Sequence, residues 1–250
     1  MKTHHLYRDV GVVLRTYKLG EADRIVVLLT EGNGKVRAVA KGVRKTKSKF
    51  GARLEQMSHV RLLLYRGREL DIISQAESVE PLAPMLGDLD RASQGIAVLE
   101  AADQMGLERE PNPQLYRMVV GVLRTIAVRP SPLVVPAFYW KLLAAEGFGP
   151  ELDTCVHCGE EPVPAGAHHD GAELVAFDLH EGGVLCRSCR SGGPISREAL
   201  DILRDILGGR LNEALAAPES RASHEVGVLA TKAMEHHLER RMRTVAIFER

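Results

Sequence analysis

Along the first eighty residues, apolar and polar side chains alternate in short runs. "VGVVLRTY" (10–17), "RIVVLLT" (24–30), "KVRAVAK" (35–41), "HVRLLLY" (59–65) and "ELDIISQAE" (69–77) are rich in Val, Ile and Leu. A period near two in segments of this length predicts β-strands. The turn-forming stretches "LGEAD", "EGNG" and "RGR" separate them, with Gly, Asn and Asp where the chain must reverse. Five strands with a longer connection between the third and fourth predict a five-stranded OB barrel. An SH3-like barrel is the structural rival, because strand order is not written in the alternation.

From Pro81 onward the apolar spacing becomes three and four, which predicts helices. "LDRASQGIAVLEAADQM" (89–105) is the first. The second, "NPQLYRMVVGVLRTIAV", opens with Asn112 as N-cap and Pro113 at the first helical position. Ser131 and Pro132 repeat that signal before "LVVPAFYWKLLAAEG", where Gly147 can end the helix. "SREALDILRDIL" (196–207) and "SHEVGVLATKAMEHHLERRMRTV" (223–245) complete the set. The reading is therefore α+β: an OB domain over 1–80, a helical domain over 81–250, and an insertion of different character at 150–195.

Charge divides the chain along the same line. The 250 residues carry 33 basic and 33 acidic side chains. The first eighty hold sixteen basic and nine acidic residues, and the remainder seventeen and twenty-four. The stretch "KVRAVAKGVRKTKSKFGAR" (35–53) has eight cations and no acid: Lys35, Arg37, Lys41, Arg44, Lys45, Lys47, Lys49 and Arg53. A run of one sign between two strands calls for a partner of the other sign. Lys35, Arg37 and Lys41 should share one strand face, opposite Val36, Ala38 and Ala40. An OB domain with a cationic face takes single-stranded nucleic acid, phosphates on the charges and bases on aromatic rings. Phe50, Tyr17 and Tyr65 are the candidate rings. A solvated lysine-rich loop is the plain alternative.

The insertion holds "CVHC" and "CRSC". Two C-x-x-C pairs offer four thiolates, Cys155, Cys158, Cys186 and Cys189, to one tetrahedral zinc. "ELVAFDLHEGGVLC" reads as a hairpin turning at Gly182-Gly183 that returns the second pair to the first. Four sulfurs leave no coordination position for water, so the expected role is structural. Disulfides or free thiols are the alternatives; with no export signal seen at the N-terminus, reduced cysteines in the cytoplasm are expected. His168, His169, His236 and His237 read as solvated. No phosphate-binding loop, nucleophile elbow or H-E-x-x-H is found, and no run of eighteen apolar residues. Nothing proposes enzyme chemistry, although a scattered triad or a metal-stabilised hydrolase stays open. So does an RNA-binding zinc-ribbon protein of transcription or translation.

The stretch "GVVLRTYKLGEADRIVVLLTEGNGKVRAVAKGVRKTKSKFGARLE", with "FYWKLLAAEGFGPELDTCVHCG" and "CRSC" further on, resembles the bacterial recombination-repair family RecO. The likeness runs in the family's order over nearly the whole chain. It implies an N-terminal OB fold, a helical C-terminal domain and, in members keeping four cysteines, a zinc module. It implies binding of single- and double-stranded DNA, annealing of complementary strands, and work with RecR to help RecA replace SSB. Carried onto this chain, the DNA-binding positions are the eight cations of 35–53 and the zinc positions the four cysteines. Arg117, Arg124, Lys141, Arg204, Arg240 and Arg241 are the cations of the helical part that an acidic tail of SSB could meet.

Overall fold

The computed structural model describes residues 6–80, 85, 87–161 and 173–242. His168 and His169 lie outside the described residues. Five strands, β1 (Leu6–Leu19), β2 (Asp23–Thr30), β3 (Gly34–Ala40), β4 (His59–Tyr65) and β5 (Asp71–Glu80), close a barrel in the order β1-β2-β3-β5-β4. β1 pairs with β4 over its first half and with β2 over the remainder, with a bulge between Val13 and Arg15. That bulge lets one strand bend to serve two neighbours and shut the sheet on itself. A short parallel pairing, Ala38 with Asp71 and Val39 with Ile72, closes the other seam. This order is that of the OB barrel and rules out the SH3-like rival.

The alternation works as expected. Val13, Val26, Leu28, Val36, Ala38, Leu62, Leu64 and Ile73 point inward and are essentially without solvent exposure. Burying a Val, Leu or Ile is worth about 1.5–3 kcal/mol, so the inner face alone strongly favours closure. On the outer side, α1 (Leu89–Met105) and α2 (Pro113–Val128) pack on β1 and β2. Asp88 caps α1 by accepting from Arg91 N at 3.1 Å, and Asn112 caps α2 by accepting from Leu115 N at 2.9 Å. Their connection runs beside β3: Lys35 N donates to Leu107 O and Arg109 N to Lys35 O. It comes so close to the β2–β3 turn that a Cβ on Gly34 would sit 1.9 Å from Glu110 O. Gly34 also has φ +64°, so only glycine fits there.

Two polar networks lock this packing. The fully buried Asp71 accepts from the Tyr7 hydroxyl, from Arg109 Nη2 at 2.9 Å and from Gly67 N at 2.9 Å. Burial alone would raise its carboxyl, but the hydrogen bonds from Arg109, Tyr7 and Gly67 outweigh it and hold it below the ordinary value. His59 is bonded through both ring nitrogens, to Glu80 Oε1 at 2.6 Å and to the Tyr116 hydroxyl at 2.7 Å. Arg124 grips Glu80 with Nε at 2.8 and 3.1 Å from its two oxygens. Glu80 and Arg124 therefore tie α2 to β5.

A change of element type separates strands from helices near residue 81. Compact packing runs further: one unit continues to Pro130 and a second covers Ser131–Met242. The second holds α3 (Val134–Ala145), α4 (Arg197–Leu207), α5 (Leu211–Ala216) and α6 (Arg221–Leu238). Ser131 does not cap α3, which begins two residues later than its signal suggests; its Oγ instead accepts from Leu133 N at 3.3 Å. Gly147, at φ +91°, follows that helix as expected. Ser196 caps α4, and Ser220 and Ser223 exchange hydrogen bonds in a capping box that starts α6 at Arg221. The short α5 is absent from the sequence reading; six residues are too few to show a period. No described helix is long and apolar enough to cross a membrane.

Candidate nucleic-acid interface and metal centre

The eight cations of 35–53 fall into two groups. On β3, Lys35 is largely covered and its Nζ donates to Asp103 O at 2.6 Å, with Asp103 Oδ1 at 3.5 Å. The Asp103 side chain, only 6% exposed, also receives Arg15 at 2.9 Å. Arg37 is exposed, 4.0 Å from Glu108. The strand-face cations thus meet acids supplied by α1 and the segment after it. Alternation could show that Lys35 and Arg37 leave the core, but not that Asp103 comes to meet Lys35.

The second group lies on the β3–β4 connection, a loop closed by one 3₁₀ turn (Gly51–Leu54). Lys41, Lys45 and Lys47 are exposed, with no carboxylate partner among the described residues. Arg44 is exposed and tied by Nη1 to the carbonyls of Glu21 (2.9 Å) and Gly20 (3.3 Å). Lys49 Nζ reaches Ser74 O at 2.7 Å and lies 5.0 Å from the Phe50 ring centre. Arg53 donates back to Lys49 O and Phe50 O. Carbonyl contacts anchor Arg44, Lys49 and Arg53 without neutralising them, and with the exposed Lys41, Lys45 and Lys47 they form a cationic surface.

Phe50 corrects one expectation. It is 1% exposed and belongs to the barrel core, so it anchors the loop and offers no ring to a base. Tyr17 and Tyr65 are exposed. Arg66 and Arg68 in the β4–β5 loop are also exposed, two cations that "RGR" presents in the sequence only as part of a turn signal. In the helical part, Arg124 and Arg204 are already engaged, Arg124 with Glu80 and Arg204 with Asp153 at 3.0 Å and Leu152 O at 2.7 Å.

In the second unit, β6 (Leu174–Asp178) and β7 (Gly183–Cys186) form the expected hairpin, with β8 (Gly193–Pro194) on the other side of β6. Gly182, at φ +76°, lies in the turn, and Gly183 already belongs to β7. The segment before Cys155 runs alongside: Glu151 N donates to Gly182 O, Val184 N to Glu151 O and Val156 N to Val184 O. These bonds bring the two C-x-x-C pairs together. All four sulfurs lie within 4.8 Å of one another. A tetrahedral shell with metal–sulfur bonds of about 2.3 Å spaces its sulfurs by about 3.8 Å, the distance between Cys158 Sγ and Cys186 Sγ, 3.8 Å.

Electrostatics at the cluster also calls for a cation. Burial disfavours the Cys155 thiolate, yet the N–H groups of Cys186, Cys158 and His157 bring it down to about 6. The sulfurs of Cys158 and Cys186 push Cys189 up to about 12. Sulfurs this close cannot all ionise unless a positive ion sits among them. The residues fit a metal ion, and none of the four leaves the cluster.

An OB barrel with a cationic connection, joined to a helical part with a four-sulfur knuckle, defines a nucleic-acid-binding protein with a metal-binding module. Two family models match the chain: Recombination protein O N terminal over residues 1–82, and Recombination protein O C terminal over residues 86–246. The chain belongs to the RecO family, DNA-binding mediators of recombination and repair.

Proposed function

We propose that this chain is a non-enzymatic, cytoplasmic DNA-binding protein that anneals complementary strands. With RecR, it helps RecA load on SSB-coated DNA. Residues 1–80 serve as the DNA-binding domain, 81–250 as the helical domain, and 150–195 as a module held by one structural zinc. The observation that carries the reading is the cationic surface from Lys41 to Arg53, anchored at Arg44, Lys49 and Arg53 and without carboxylate partners among the described residues. Annealing requires two mutually repelling strands to be held together. Exchangeable phosphate contacts on such a surface do this without hydrolysis. Arg37 extends the surface along β3, while Lys35, the other β3 cation of the run, is largely covered and holds α1 through Asp103.

Zinc suits the donor set, since four thiolates at this spacing saturate it and leave no catalytic position. Cys155, Cys158, Cys186 and Cys189 would hold it, and its contribution is to cross-link the two knuckles.

The test is salt-dependent binding and annealing, without ATP, on bare and SSB-coated strands. With about five phosphate contacts, log affinity for single strands should fall with log salt at a slope near −3.5, about −0.7 per contact. Replacing Arg44, Lys45, Lys47 and Lys49 with Ala should flatten that slope by up to about 2.8. The loss should be alike for every base sequence, and annealing should fall with it. Wild-type slope and affinity in this variant, or annealing that needs ATP hydrolysis by the chain, would refute the reading.

A further inference from the structure

The cationic loop between β3 and β4 hangs from two apolar anchors, Val43 and Phe50, both in the barrel core. Between them the backbone runs through successive tight turns. Lys45 N donates to Gly42 O at 3.2 Å and Ser48 N to Lys45 O at 2.9 Å. The turns leave Arg44, Lys45, Lys47 and Lys49 exposed. Where the first turn begins, the β2–β3 ladder has already ended at Arg24 and Ala40. Gly42, at φ +69°, lies beyond it, and its N–H is taken by a side chain: Asp23 Oδ1 accepts from Gly42 N at 2.7 Å. The β1–β2 turn just before Asp23, residues 20–22, accepts from the loop as well. Arg44 N donates to Ala22 O at 3.0 Å, and Arg44 Nη1 to Glu21 O at 2.9 Å and Gly20 O at 3.3 Å.

Asp23 is an acid set beside a run of cations, yet no lysine or arginine among the described residues forms an ion pair with it. By charge alone it works against a polyanion. Its use is geometric. A loop that must be ordered as DNA arrives binds more weakly, by about ten-fold for each residue whose backbone is newly fixed. A loop already held in place meets that cost during folding, and its contacts are available at once.

We propose that Asp23 is a positioning residue of the DNA interface. Its carboxylate oxygen sets the first turn of the loop before DNA binds, so that Arg44, Lys45, Lys47 and Lys49 meet phosphates together. The inference rests on the DNA-binding reading above, which names the cations, and adds the acid that holds them. What matters is Oδ1 as an acceptor for Gly42 N; the negative charge opposes binding. The two properties therefore have opposite consequences. Losing the charge alone strengthens DNA binding, and losing the acceptor weakens it.

Full-length Asp23→Asn, Asp23→Glu and Asp23→Ala separate them. Asn keeps an oxygen acceptor and drops the charge, Glu keeps the charge and moves the acceptor by one methylene, and Ala removes both. Affinity for an unstructured oligothymidylate is measured over a salt series, well below the melting point, where lost barrel stability alone changes nothing. Asp23→Ala should lie about ten-fold below wild type at every salt concentration, with its slope unchanged because all eight cations remain. Asp23→Glu should fall with it, and Asp23→Asn should bind at least as tightly as wild type. Trypsin, added without DNA, should cut after Arg44, Lys45 and Lys47 sooner in the Ala and Glu variants than in wild type and Asn. If Asp23→Ala does not fold, the Asn and Glu pair decides by the same readouts. Wild-type affinity in Asp23→Ala, a loss in Asn equal to that in Glu, or equal cleavage of all the proteins would overturn the role. Failure of the underlying DNA-binding reading would look different: the Arg44/Lys45/Lys47/Lys49 variant would then bind the oligonucleotide like wild type.

Discussion

The barrel and the cysteine module both rest on antiparallel strands, yet different forces hold them. The barrel closes through continuous register around five strands and a core of fully buried Val, Leu and Ile. The module has two strands of four and five residues, a two-residue β8, and a small apolar set of Leu174, Ala176, Phe177, Val184 and Leu185. A hairpin of that size is marginal by itself in water. Its four sulfurs lie within 4.8 Å of one another, and the proposed metal would supply there what the barrel obtains from apolar burial. Hydrophobic burial scales with the number of side chains removed from water, whereas one metal ion concentrates a comparable gain at a point.

Metal removal should break this contrast most sharply. Structural zinc contributes on the order of 10 kcal/mol to small zinc modules, so chelation or Cys155→Ser should unfold the hairpin locally. The chain's single tryptophan, Trp140, is an internal reporter, because its ring meets Phe177 of β6 edge-on at 5.8 Å. Its emission should shift to the red, while amide exchange in β1–β5 stays slow. Metal analysis of protein purified without added metal should give about one zinc per chain. Unchanged Trp140 emission in metal-free protein would show that the module holds by packing alone.

The converse damage comes from Asp71. Asp71→Ala leaves the Tyr7 hydroxyl, Arg109 and Gly67 N without their shared acceptor. The cost should be about 2–3 kcal/mol, below that of a fully buried ion pair because Arg109 is one-third exposed. Barrel melting should drop and Trp140 emission should not move. The pH dependence follows from the direction of the shift. Asp71 titrates lower in the folded protein than in the unfolded chain, so the unfolded chain binds its proton first as pH falls. Its stabilisation is complete above about pH 4, the ordinary carboxylate range, and is lost as pH falls through the lower folded value. Asp71→Ala should remove that part of the acid sensitivity, seen by comparing melting curves between neutral and acid pH.

The smallest effects separate the two kinds of cation within the barrel unit. Lys35→Ala removes a hydrogen bond to Asp103 O and a charge beside a nearly buried carboxylate. It should cost about 1–2 kcal/mol and leave the salt slope of DNA binding almost unchanged. Lys47→Ala should do the opposite, with no measurable change in melting and a slope flattened by about 0.7. A Lys35 variant with wild-type stability and a flatter slope would move that residue from the scaffold to the interface.

The sequence by itself determined the strands, the longer helices and the cluster of four cysteines. Period two fixed which residues of β3 face inward, and the start signal at Asn112 became a cap that accepts from Leu115 N. Two C-x-x-C pairs around one hairpin named all four cysteines of the cluster. These features are local: they depend on backbone geometry and on neighbours a few residues away, so they survive in a one-dimensional reading. What only the tertiary structure decided is the fate of residues whose partners are distant in the chain. Phe50 looks like a loop aromatic and becomes core because the β3–β4 connection folds over the barrel end. Lys35 looks like a DNA contact and meets Asp103, sixty-eight residues on, because α1 packs against β1. Tyr17 and Tyr65 share a row only through the pairing of all five strands. The physical reason is that a charge or a ring takes the partner that best offsets its lost hydration. Closure of the barrel and docking of the helices settle which partners come within reach.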